Sequence, residues 1–363
     1  MGVLVTVTSL KRLVQAIFVE AGCPDDEAVR IAHYLSKANL TGHDSHGVIR
    51  VPRYVEWIGI GRVKPGQHVE RLVDTPAITM LDGKHGMGQT VGPEACQIGI
   101  EKAEAHGVSV VALRNAGHLG RIGDYAEMAV KAGLVSLHFV NVHSSLLVAP
   151  YGGRDRRTST NPIAIGVPTR DGKPFILDFA TSMVAEGKAL VARQGGKPIP
   201  GDALVSPDGT LTNDTSALYG PPPDDGYPDP TKGPGALRTF GEHKGSGLSL
   251  ACDLLAGALG GSGANKGEVG IFHNGMLSIY LKPSFFGGEE ALRDEAQAYV
   301  DWIHASEPAD PDTPVMVPGD KERKLESERT ANGIPLPEDT WNAILGAARS
   351  VGIDDGRIND LLG

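Results

Sequence analysis

The sequence predicts an α/β protein, in which short strands alternate with amphipathic helices along the chain. Runs rich in β-branched and apolar residues, such as 108–113 and 134–142, have the length and composition of buried strands. Segments with apolar residues three and four positions apart, such as 93–106 and 124–132, lie between them and have the spacing of helices that pack on a sheet.

Length and composition exclude several classes of protein. With 363 residues the chain can bury a large core, and two domains are expected. The net charge of -10 argues against a nucleic-acid partner, because phosphate binding requires a basic surface. The cysteines Cys23, Cys96 and Cys252 are odd in number and far apart, which fits a reducing compartment. Without a signal-peptide pattern or an apolar run of ~18 residues, we expect a cytoplasmic protein with no membrane span.

The chain is expected to begin with a helical hairpin. Residues 9–20 have helical spacing, and Pro24 opens a second helix because proline and the acids that follow suit a first turn. The predicted buried stripe of this second helix consists of Val29, Ala32, Leu35 and Ala38. The hairpin leads to residues 42–54, which are rich in polar functional groups, and to a short helix at 54–61.

The remaining elements follow the same patterns. Further strands are predicted at 77–81, 163–167, 175–179 and 276–281, and further helices at 181–191, 245–259, 289–304 and 338–351. Thr181 and Ser182 suit the N-cap of the helix at 181–191. The proline-rich stretch 220–230 cannot continue regular structure, and we predict a surface loop there.

Residues 42–54 and the turn after the strand at 108–113 carry the candidate catalytic groups. His46 and His118 suit proton transfer, with a helix-capping or loop histidine as the alternative for His118. His43 and Asp44 could join His46 as metal ligands, although adjacent side chains rarely all face one ion. Arg50 lies three residues before Arg53, so one helical face could clamp a carboxylate. The alternative for Arg50 is a surface ion pair with Glu56.

Several segments could hold a nucleotide. The glycines of 86–92 follow a strand and precede a helix, but their spacing is not that of a dinucleotide loop, and a structural turn is favoured. Asp178, at a strand end, could accept ribose hydroxyls, with helix capping as the alternative. Lys244 precedes a helix and suits a phosphate or carboxylate. Arg193 and Lys197 could reach a 2′-phosphate or could equally be surface cations.

Six groups of motifs occur in order over nearly the whole chain: 42–47, 115–123, 160–162 with Gly153, 177–182, 243–245 and 318–319. Together they resemble the type-2 malate/L-lactate dehydrogenase family, which also includes ureidoglycolate and sulfolactate dehydrogenases and imino-acid reductases. Three segments, 137–140, 242–245 and 302–319, look closest to its hydroxycarboxylate dehydrogenase branch. That branch acts on 2-oxo acids such as hydroxyphenylpyruvate.

The resemblance implies hydride transfer between NAD(P) and a 2-oxo or 2-hydroxy acid of the hydroxyphenylpyruvate, malate or lactate class. It implies a sulfolactate-dehydrogenase-like, non-Rossmann fold: a mixed sheet with flanking helices and helical N- and C-terminal segments. It also implies a homodimer. Residues 121–282 would form the NAD(P)-binding domain, and 1–120, completed by 283–363, would form the helical hairpin with the substrate and catalytic region. NAD is the expected cofactor, with NADP as the alternative.

The resemblance also implies roles for individual residues. His118 corresponds to the catalytic acid/base, and His46 lies near the nicotinamide. The implied substrate contacts are Ser45, Arg50 and Tyr54. The implied cofactor contacts are His46, Gly120, Arg121, Ile122, Ile176, Leu177, Asp178, Phe179, Ala180, His243, Lys244, Asn274, Gly319, Asp320, Lys321 and Glu322. The alternative function is that of a metal-dependent lyase or hydrolase, with His43, Asp44 and His46 as ligands.

Overall fold

A seven-stranded mixed sheet forms the centre of the computed structural model, which describes residues 2–221, 228–267 and 270–363. The strands are β1 (Val3–Val5), β2 (Glu70–Asp74), β3 (Ile78–Asp82), β4 (Val108–Ala116), β5 (Val135–His143), β6 (Ile163–Val167), β7 (Phe175–Phe179), β8 (Leu204–Val205), β9 (Leu211–Thr212), β10 (Ala236–Leu237), β11 (His273–Leu281) and β12 (Ile334–Leu336). The central order is β2-β3-β4-β11-β5-β6-β7, in which β3 and β4 are parallel and the other neighbours antiparallel. This mixed sheet confirms the predicted fold class.

Helices flank the sheet and form both ends of the chain. They are α1 (Val7–Glu20), α2 (Asp25–Leu40), α3 (Val51–Gly59), α4 (Gly88–His106), α5 (Gly123–Lys131), α6 (Glu186–Arg193), α7 (Ser216–Tyr219), α8 (His243–Cys252), α9 (Glu289–His304), α10 (Asp320–Asn332), α11 (Glu338–Ser350) and α12 (Asp355–Leu362). Two 3-10 turns, Asp44–His46 and Val48–Arg50, connect α2 to α3, and a π-helical stretch, Asp253–Leu259, continues α8. Within the described ranges, no helix is long and apolar enough to cross a membrane.

Separate apolar clusters stabilise these layers. The terminal helices α1, α2, α11 and α12 share one cluster with β1 and β12, so the two ends of the chain pack together. A second cluster joins α4 and α5 to the sheet, and a third lies around α6 and the small sheet β8-β9-β10. The predicted boundary at residue 120 falls between β4 and α5. Because β4 and β5–β7 belong to one sheet, this boundary divides the strands of that sheet, and the division into domains stays a prediction.

Most predicted elements are present, and the differences have local causes. The buried stripe of α2 includes Ala32, Leu35 and Ala38, but Val29 is 48% exposed. Ala28 and Ile31 occupy the buried positions, because the register that buries Ala32 turns Val29 towards solvent. The other buried apolar members of the α2 stripe keep the predicted spacing.

The helix predicted at 181–191 begins only at Glu186. Thr181 does not cap it, because the Thr181 hydroxyl donates to the carbonyls of Thr160 and Asn161. Helix α10 was missed because its residues are mostly charged or polar, so it carries no apolar period. In the predicted loop 220–230, residues 222–227 lie outside the described residues.

The glycines of 86–92 serve close packing. A Cβ atom at Gly88 would overlap the backbone of His118, and one at Gly92 would overlap the ring of Tyr125. Both glycines belong to α4, which therefore lies directly against the connection between β4 and α5. The close approach at these glycines fits the structural interpretation, and it brings the first turn of α4 beside His118.

Close packing of α4 on the sheet gives a stability prediction. A Cβ atom at Gly99 would overlap the ring of Tyr280, whereas the exposed helical Gly346 has nothing within 4 Å of its Cβ position. We expect Gly99→Ala to lower the free energy of unfolding by about 1–3 kcal/mol. Gly346→Ala should raise it by about 0.5–1 kcal/mol, because alanine favours a helix over glycine. Thermal unfolding of both variants measures this, and equal midpoints would contradict it.

Candidate active site

Two adjoining depressions lie between the helical N-terminal region and the sheet. The large cleft has a volume of about 490 Å³, and the small cavity one of about 170 Å³. His46, Thr160 and Ala185 line both, so the two spaces meet at these residues. His118 and Arg50 line the small cavity. A reactant in the cavity would therefore face a ligand in the cleft across His46.

The two predicted catalytic histidines lie side by side. Their rings stack, with centroids 5.5 Å apart and planes inclined by 10°. His118 follows β4, and His46 ends a 3-10 turn in which Ser45 Oγ is 3.0 Å from His46 Nδ1. Burial, helped by the charge of Arg50, lowers the pKa of His118 to about 3. Burial and the adjacent His118 also lower the pKa of His46 well below its ordinary value. Both rings are therefore neutral near pH 7.

Tyr54 lies behind His118 rather than in the wall of the small cavity. Its side chain is 2% exposed, and its Oη is 2.5 Å from His118 Nδ1. Gln89, in the first turn of α4, donates to both Tyr54 Oη and the His118 carbonyl over 3.3 Å. Burial raises the pKa of Tyr54 to about 12. The substrate contact implied for Tyr54 stays a prediction, whereas its contact with His118 is direct.

Arg50 is held in a fixed orientation at the small cavity. Its Nε donates to the Ser45 carbonyl over 2.7 Å, and its guanidinium pairs with Glu186 at 2.8 Å. Tyr219 donates to the other carboxylate oxygen of Glu186 over 2.6 Å. Burial raises the pKa of Glu186, but Arg50 and Tyr219 outweigh burial and the net pKa is lowered. Glu186 is therefore ionised and keeps Arg50 charged and oriented.

Arg53 shares the cavity wall with Arg50 but has a different partner. It pairs with Glu56 at 3.0 Å and donates to the Pro228 carbonyl over 2.9 Å. The ion pair with Glu56 considered for Arg50 is thus formed by Arg53. Both arginines face the small cavity, as the spacing of three residues predicted.

The metal alternative is not supported by the arrangement of its three proposed ligands. Asp44 pairs with Arg329 at 2.6 Å, and His43 pairs with Glu322 at 3.3 Å. His46 instead contacts Ser45 and stacks on His118. In the part of the chain that the structure covers, no group of three or more His, Cys, Asp or Glu side chains is arranged to hold a metal ion.

The large cleft has walls suited to a nucleotide. Its lining includes the predicted cofactor residues His46, Gly120, Arg121, Ile122, Leu177, Asp178, Phe179 and Ala180. Asp178 accepts the amide of Gly123 at the start of α5 over 2.8 Å, so the capping alternative is realised. Burial raises the pKa of Asp178. Lys188 lines the same cleft, and no acidic group of the described residues lies within ion-pair distance of it.

The fit of this cleft to a nicotinamide cofactor follows from its donor set. A carboxylate suits ribose hydroxyls, and a free cation suits the phosphates. Arg121 adds a second cation, although Asp124 and Glu127 pair with it at 3.0 and 2.7 Å. Its Nε is buried without a partner among the residues described. Acceptor, cation and backbone walls therefore match the chemistry of a dinucleotide.

The remaining predicted cofactor residues do not line the large cleft. Ile176 is buried in β7, and Asn274 is buried with its Oδ1 on the amide of Leu119 at 2.9 Å. Exposed His243 and Lys244 begin α8. Gly319, Asp320, Lys321 and Glu322 form the start of α10, where Asp320 accepts the Val317 amide. Glu322 approaches the cleft through its pair with His43. Cofactor contacts of these residues stay predictions.

Neither cation considered for a 2′-phosphate lies at the large cleft. Arg193 lies over the ring of Tyr219 at 5.3 Å and donates to the Gly220 carbonyl. Lys197 lines a different cavity, next to α11. Arg193 is the last residue of α6 and Lys197 follows the helix, and neither residue lines the cleft that contains Asp178. Lys188, on the first turn of α6, is the lysine that lines the large cleft.

Sequence reasoning missed Gln89, Glu186, Gly187 and Lys188. Gly187 is required because a Cβ atom there would lie 2.6 Å from the Ser45 carbonyl and the Arg50 guanidinium. These residues reach the site from α4 and α6, which are distant from residues 42–54 in sequence. The one local sequence feature that could have indicated Gln89 is its position at the start of a helix, within the glycine cluster of residues 86–92.

A buried polar network supports the wall that the two spaces share. Asp253, in the π-helical stretch, accepts from Asn161 at 2.9 Å, Thr158 at 3.1 Å and Asn265 at 3.1 Å. Asn161 also accepts the amide of Val142. The network fixes the backbone on both sides of Thr160. π-Helical turns often occur at functional sites, and this one supplies the network's carboxylate.

A mostly antiparallel mixed sheet, a nucleotide-sized cleft and a small cavity with paired histidines and an oriented arginine are features that fit a non-Rossmann oxidoreductase of small acids. The chain belongs to the malate/L-lactate dehydrogenase family, whose model matches residues 5–345. This is a family of dehydrogenases that use nicotinamide cofactors and act on 2-hydroxy acids.

Known relatives match over nearly their whole length. The chain is 38% identical to hydroxycarboxylate dehydrogenase B of Escherichia coli, covering 96% of this chain and 94% of that protein. It is 33% identical to an L-lactate dehydrogenase of Cupriavidus necator, covering 96% and 98%. The solved structure of sulfolactate dehydrogenase from Methanocaldococcus jannaschii superposes with a TM-score of 0.83 at 30% identity, covering 99% of both chains. The predicted family and fold are confirmed.

The lowered pKa of His118 predicts how it affects stability. An unfolded histidine binds its proton near pH 6.5, whereas folded His118 does so only near pH 3. As the pH falls below 6.5, the unfolded state binds a proton that the folded state does not. The titration of His118 therefore lowers the free energy of unfolding by up to ~1.4 kcal/mol per pH unit. Above pH 6.5 it costs nothing.

His118→Gln removes that titration. Between pH 6.5 and 4.5, the unfolding free energy of the variant should therefore fall less steeply than that of the native protein. The difference in slope corresponds to the uptake of up to one proton on unfolding. Chemical denaturation at a series of pH values measures both slopes. The buried His138, whose pKa burial also lowers to about 3, remains in both proteins and cancels. Parallel curves would contradict the prediction.

Proposed function

We propose that the protein is an NAD(P)H-dependent oxidoreductase that interconverts a 2-oxo acid and a 2-hydroxy acid. The observation that carries the proposal is the stacked pair His46 and His118, which lies where the large cleft meets the cavity that Arg50 lines. A bound nicotinamide cofactor supplies hydride for reduction and accepts it for oxidation. Arg50 holds the substrate carboxylate, Ser45 is a further substrate contact, and His118 exchanges a proton with the oxygen on C2.

The large cleft is the proposed cofactor site. Residues 120–122 and 177–180 form its walls, Asp178 accepts a ribose hydroxyl and Lys188 binds the phosphates. NAD is favoured over NADP, because a carboxylate at the ribose repels a 2′-phosphate. Residues at the starts of α8 and α10, with Ile176 and Asn274, complete the proposed set.

The small cavity supports an aromatic 2-oxo acid of the hydroxyphenylpyruvate kind, with malate and lactate as the other candidate classes. Trp57 and Phe272 line it with their ring centroids 4.6 Å apart, and these apolar rings suit an aromatic side chain. We also propose a cytoplasmic homodimer. The cytoplasm is supported by the three cysteines, which are unpaired and buried, as suits a reducing compartment. The dimer is supported by Leu250 and Leu254, which expose an apolar helix face that a second subunit could cover.

A spectrophotometric panel tests the proposed function. NADH and NADPH are each mixed with hydroxyphenylpyruvate, phenylpyruvate, oxaloacetate, pyruvate and a cyclic imine, and absorbance is followed at 340 nm. We expect oxidation with NADH and a 2-oxo acid, and at least a ~10²-fold lower turnover in His118→Ala with cofactor binding retained. No oxidation of either cofactor would overturn the function. Full turnover in His118→Ala would remove only the role of that residue.

The carboxylate-binding role of Arg50 has its own test. Arg50→Lys keeps the charge next to Glu186, so no buried carboxylate is left unpaired, but it loses the planar guanidinium. We expect KM for the oxo acid to rise at least ~10-fold, the effect of about 1.4 kcal/mol of lost binding, with the cofactor dissociation constant unchanged. Steady-state kinetics and cofactor fluorescence measure the two constants. If Arg50→Lys changes only the cofactor dissociation constant, Arg50 contacts the cofactor and its assignment to the substrate carboxylate is wrong.

A further inference from the structure

A closed ring of hydrogen bonds begins and ends on His118. Gln89 Nε2 lies 3.3 Å from the His118 carbonyl and 3.3 Å from Tyr54 Oη, and Tyr54 Oη lies 2.5 Å from His118 Nδ1. Gln89 and Tyr54 are buried at 2% exposure each. The directions of these bonds follow from which of the three groups can donate and which can only accept.

The direction of each bond follows from the His118 carbonyl, which can only accept. It requires the Gln89 amide nitrogen, not the oxygen, to face it. The same nitrogen has a second hydrogen, which it donates to Tyr54 Oη. The Tyr54 hydroxyl is thus an acceptor from Gln89, and its own proton points to His118 Nδ1. Nδ1 is therefore the acceptor nitrogen of a neutral ring, and Nε2 carries the proton.

We propose that Tyr54, oriented by Gln89, sets the tautomer of His118 and replaces the proton that His118 gives to the substrate. This inference rests on the proposed function. Tyr54 and Gln89 are positioning residues, because His118 lines the small cavity and neither of these two residues does. The established features of the site assign no such role to either residue.

The proton transfers balance within the ring. In reduction, the His118 Nε2–H bond breaks as the O–H bond of the hydroxy acid forms. The Tyr54 O–H bond breaks as the Nδ1–H bond forms, so His118 ends neutral and Tyr54 ends as a phenolate that the Gln89 N–H stabilises. After the product leaves, a water molecule in the small cavity donates a proton to Nε2 and departs to bulk solvent as hydroxide, and Nδ1 returns its proton to the Tyr54 phenolate. Oxidation of a hydroxy acid runs through the same steps in reverse.

The groups around His118 favour this neutral route. The stacked His46, the cation Arg50 and the phenol Tyr54 face it. The same cavity also contains Arg53, Arg62 and the carboxylates Glu186 and Asp229. Glu186 pairs with Arg50, and among the described residues no carboxylate forms an ion pair with His118 that would stabilise an imidazolium. Burial keeps the pKa of Tyr54 at about 12, but an aliphatic alcohol is a still weaker acid, so the phenol can supply the proton.

The test compares Tyr54→Phe, Gln89→Leu, the double variant and the control Tyr34→Phe in both reaction directions. Phenylalanine keeps the ring that packs on Phe18 and Trp57. Tyr34 lies outside the site, and its hydroxyl has only a 3.8 Å contact with the Met128 sulfur. Turnover, KM, cofactor fluorescence and thermal unfolding are measured for each protein, and kcat/KM for reduction is measured across pH 5–9.

We expect Tyr54→Phe to lower kcat at least ~10-fold, with KM and cofactor affinity within about two-fold of the native values. Native kcat/KM for reduction should show no fall through the ordinary histidine range, because the acid is a neutral ring. In Tyr54→Phe the rate should fall as the pH rises, because reduction then requires a protonated ring. Gln89→Leu should lose less, and the double variant should be no slower than Tyr54→Phe, because Gln89 acts through Tyr54.

Native kcat and a native pH profile in Tyr54→Phe would overturn the inference, as would additive losses in the double variant. If Tyr54→Phe does not fold, the pH profile of Gln89→Leu decides in its place: a native profile with native kcat overturns the inference. A native enzyme that oxidises neither cofactor would instead overturn the proposed function. The two failures are therefore distinguishable.

Discussion

The contact between Tyr54 and His118 joins the two halves of the site. Tyr54 belongs to α3 and packs in the core of the terminal helices, whereas His118 follows a strand of the central sheet. The small cavity can keep its shape only if these two layers stay in register. Gly88 and Gly92 make that possible, since they let α4 approach the His118 backbone and place Gln89 against both partners.

Electrostatics in the small cavity follow from the same packing. The site holds positive charge on Arg50 and keeps both neighbouring histidines neutral, because burial penalises a second and third cation beside it. Glu186 offsets part of the Arg50 charge from behind and leaves the cavity attractive to a carboxylate. A neutral histidine next to a fixed cation suits a reaction in which negative charge develops on a substrate oxygen.

Local sequence patterns predicted most of the fold that positions this site. The strands at 163–167 and 175–179 and the helix at 289–304 have the predicted bounds, because the two strands are short and mostly apolar and the helix has apolar residues at helical spacing. The helix at 181–191 started late because Thr181 bonds to carbonyls about twenty residues earlier in the chain. Helix α10 was missed because its charged surface contains no apolar repeat. The Thr181 contacts are non-local, so no window of sequence contains them, whereas α10 lacks the apolar repeat by which a helix is predicted.

The sequence by itself determined the α/β class and the family, and it singled out His46, His118 and Arg50 as candidates for the reactive set, because residue types and motifs can be read directly from the chain. Only the tertiary structure decided that Tyr54 contacts His118, that Glu186 orients Arg50, and that Lys188 rather than Arg193 lies at the cleft. Those relations join segments more than sixty residues apart or depend on which face of a helix meets a cleft. They arise only when the helical layer and the sheet pack together.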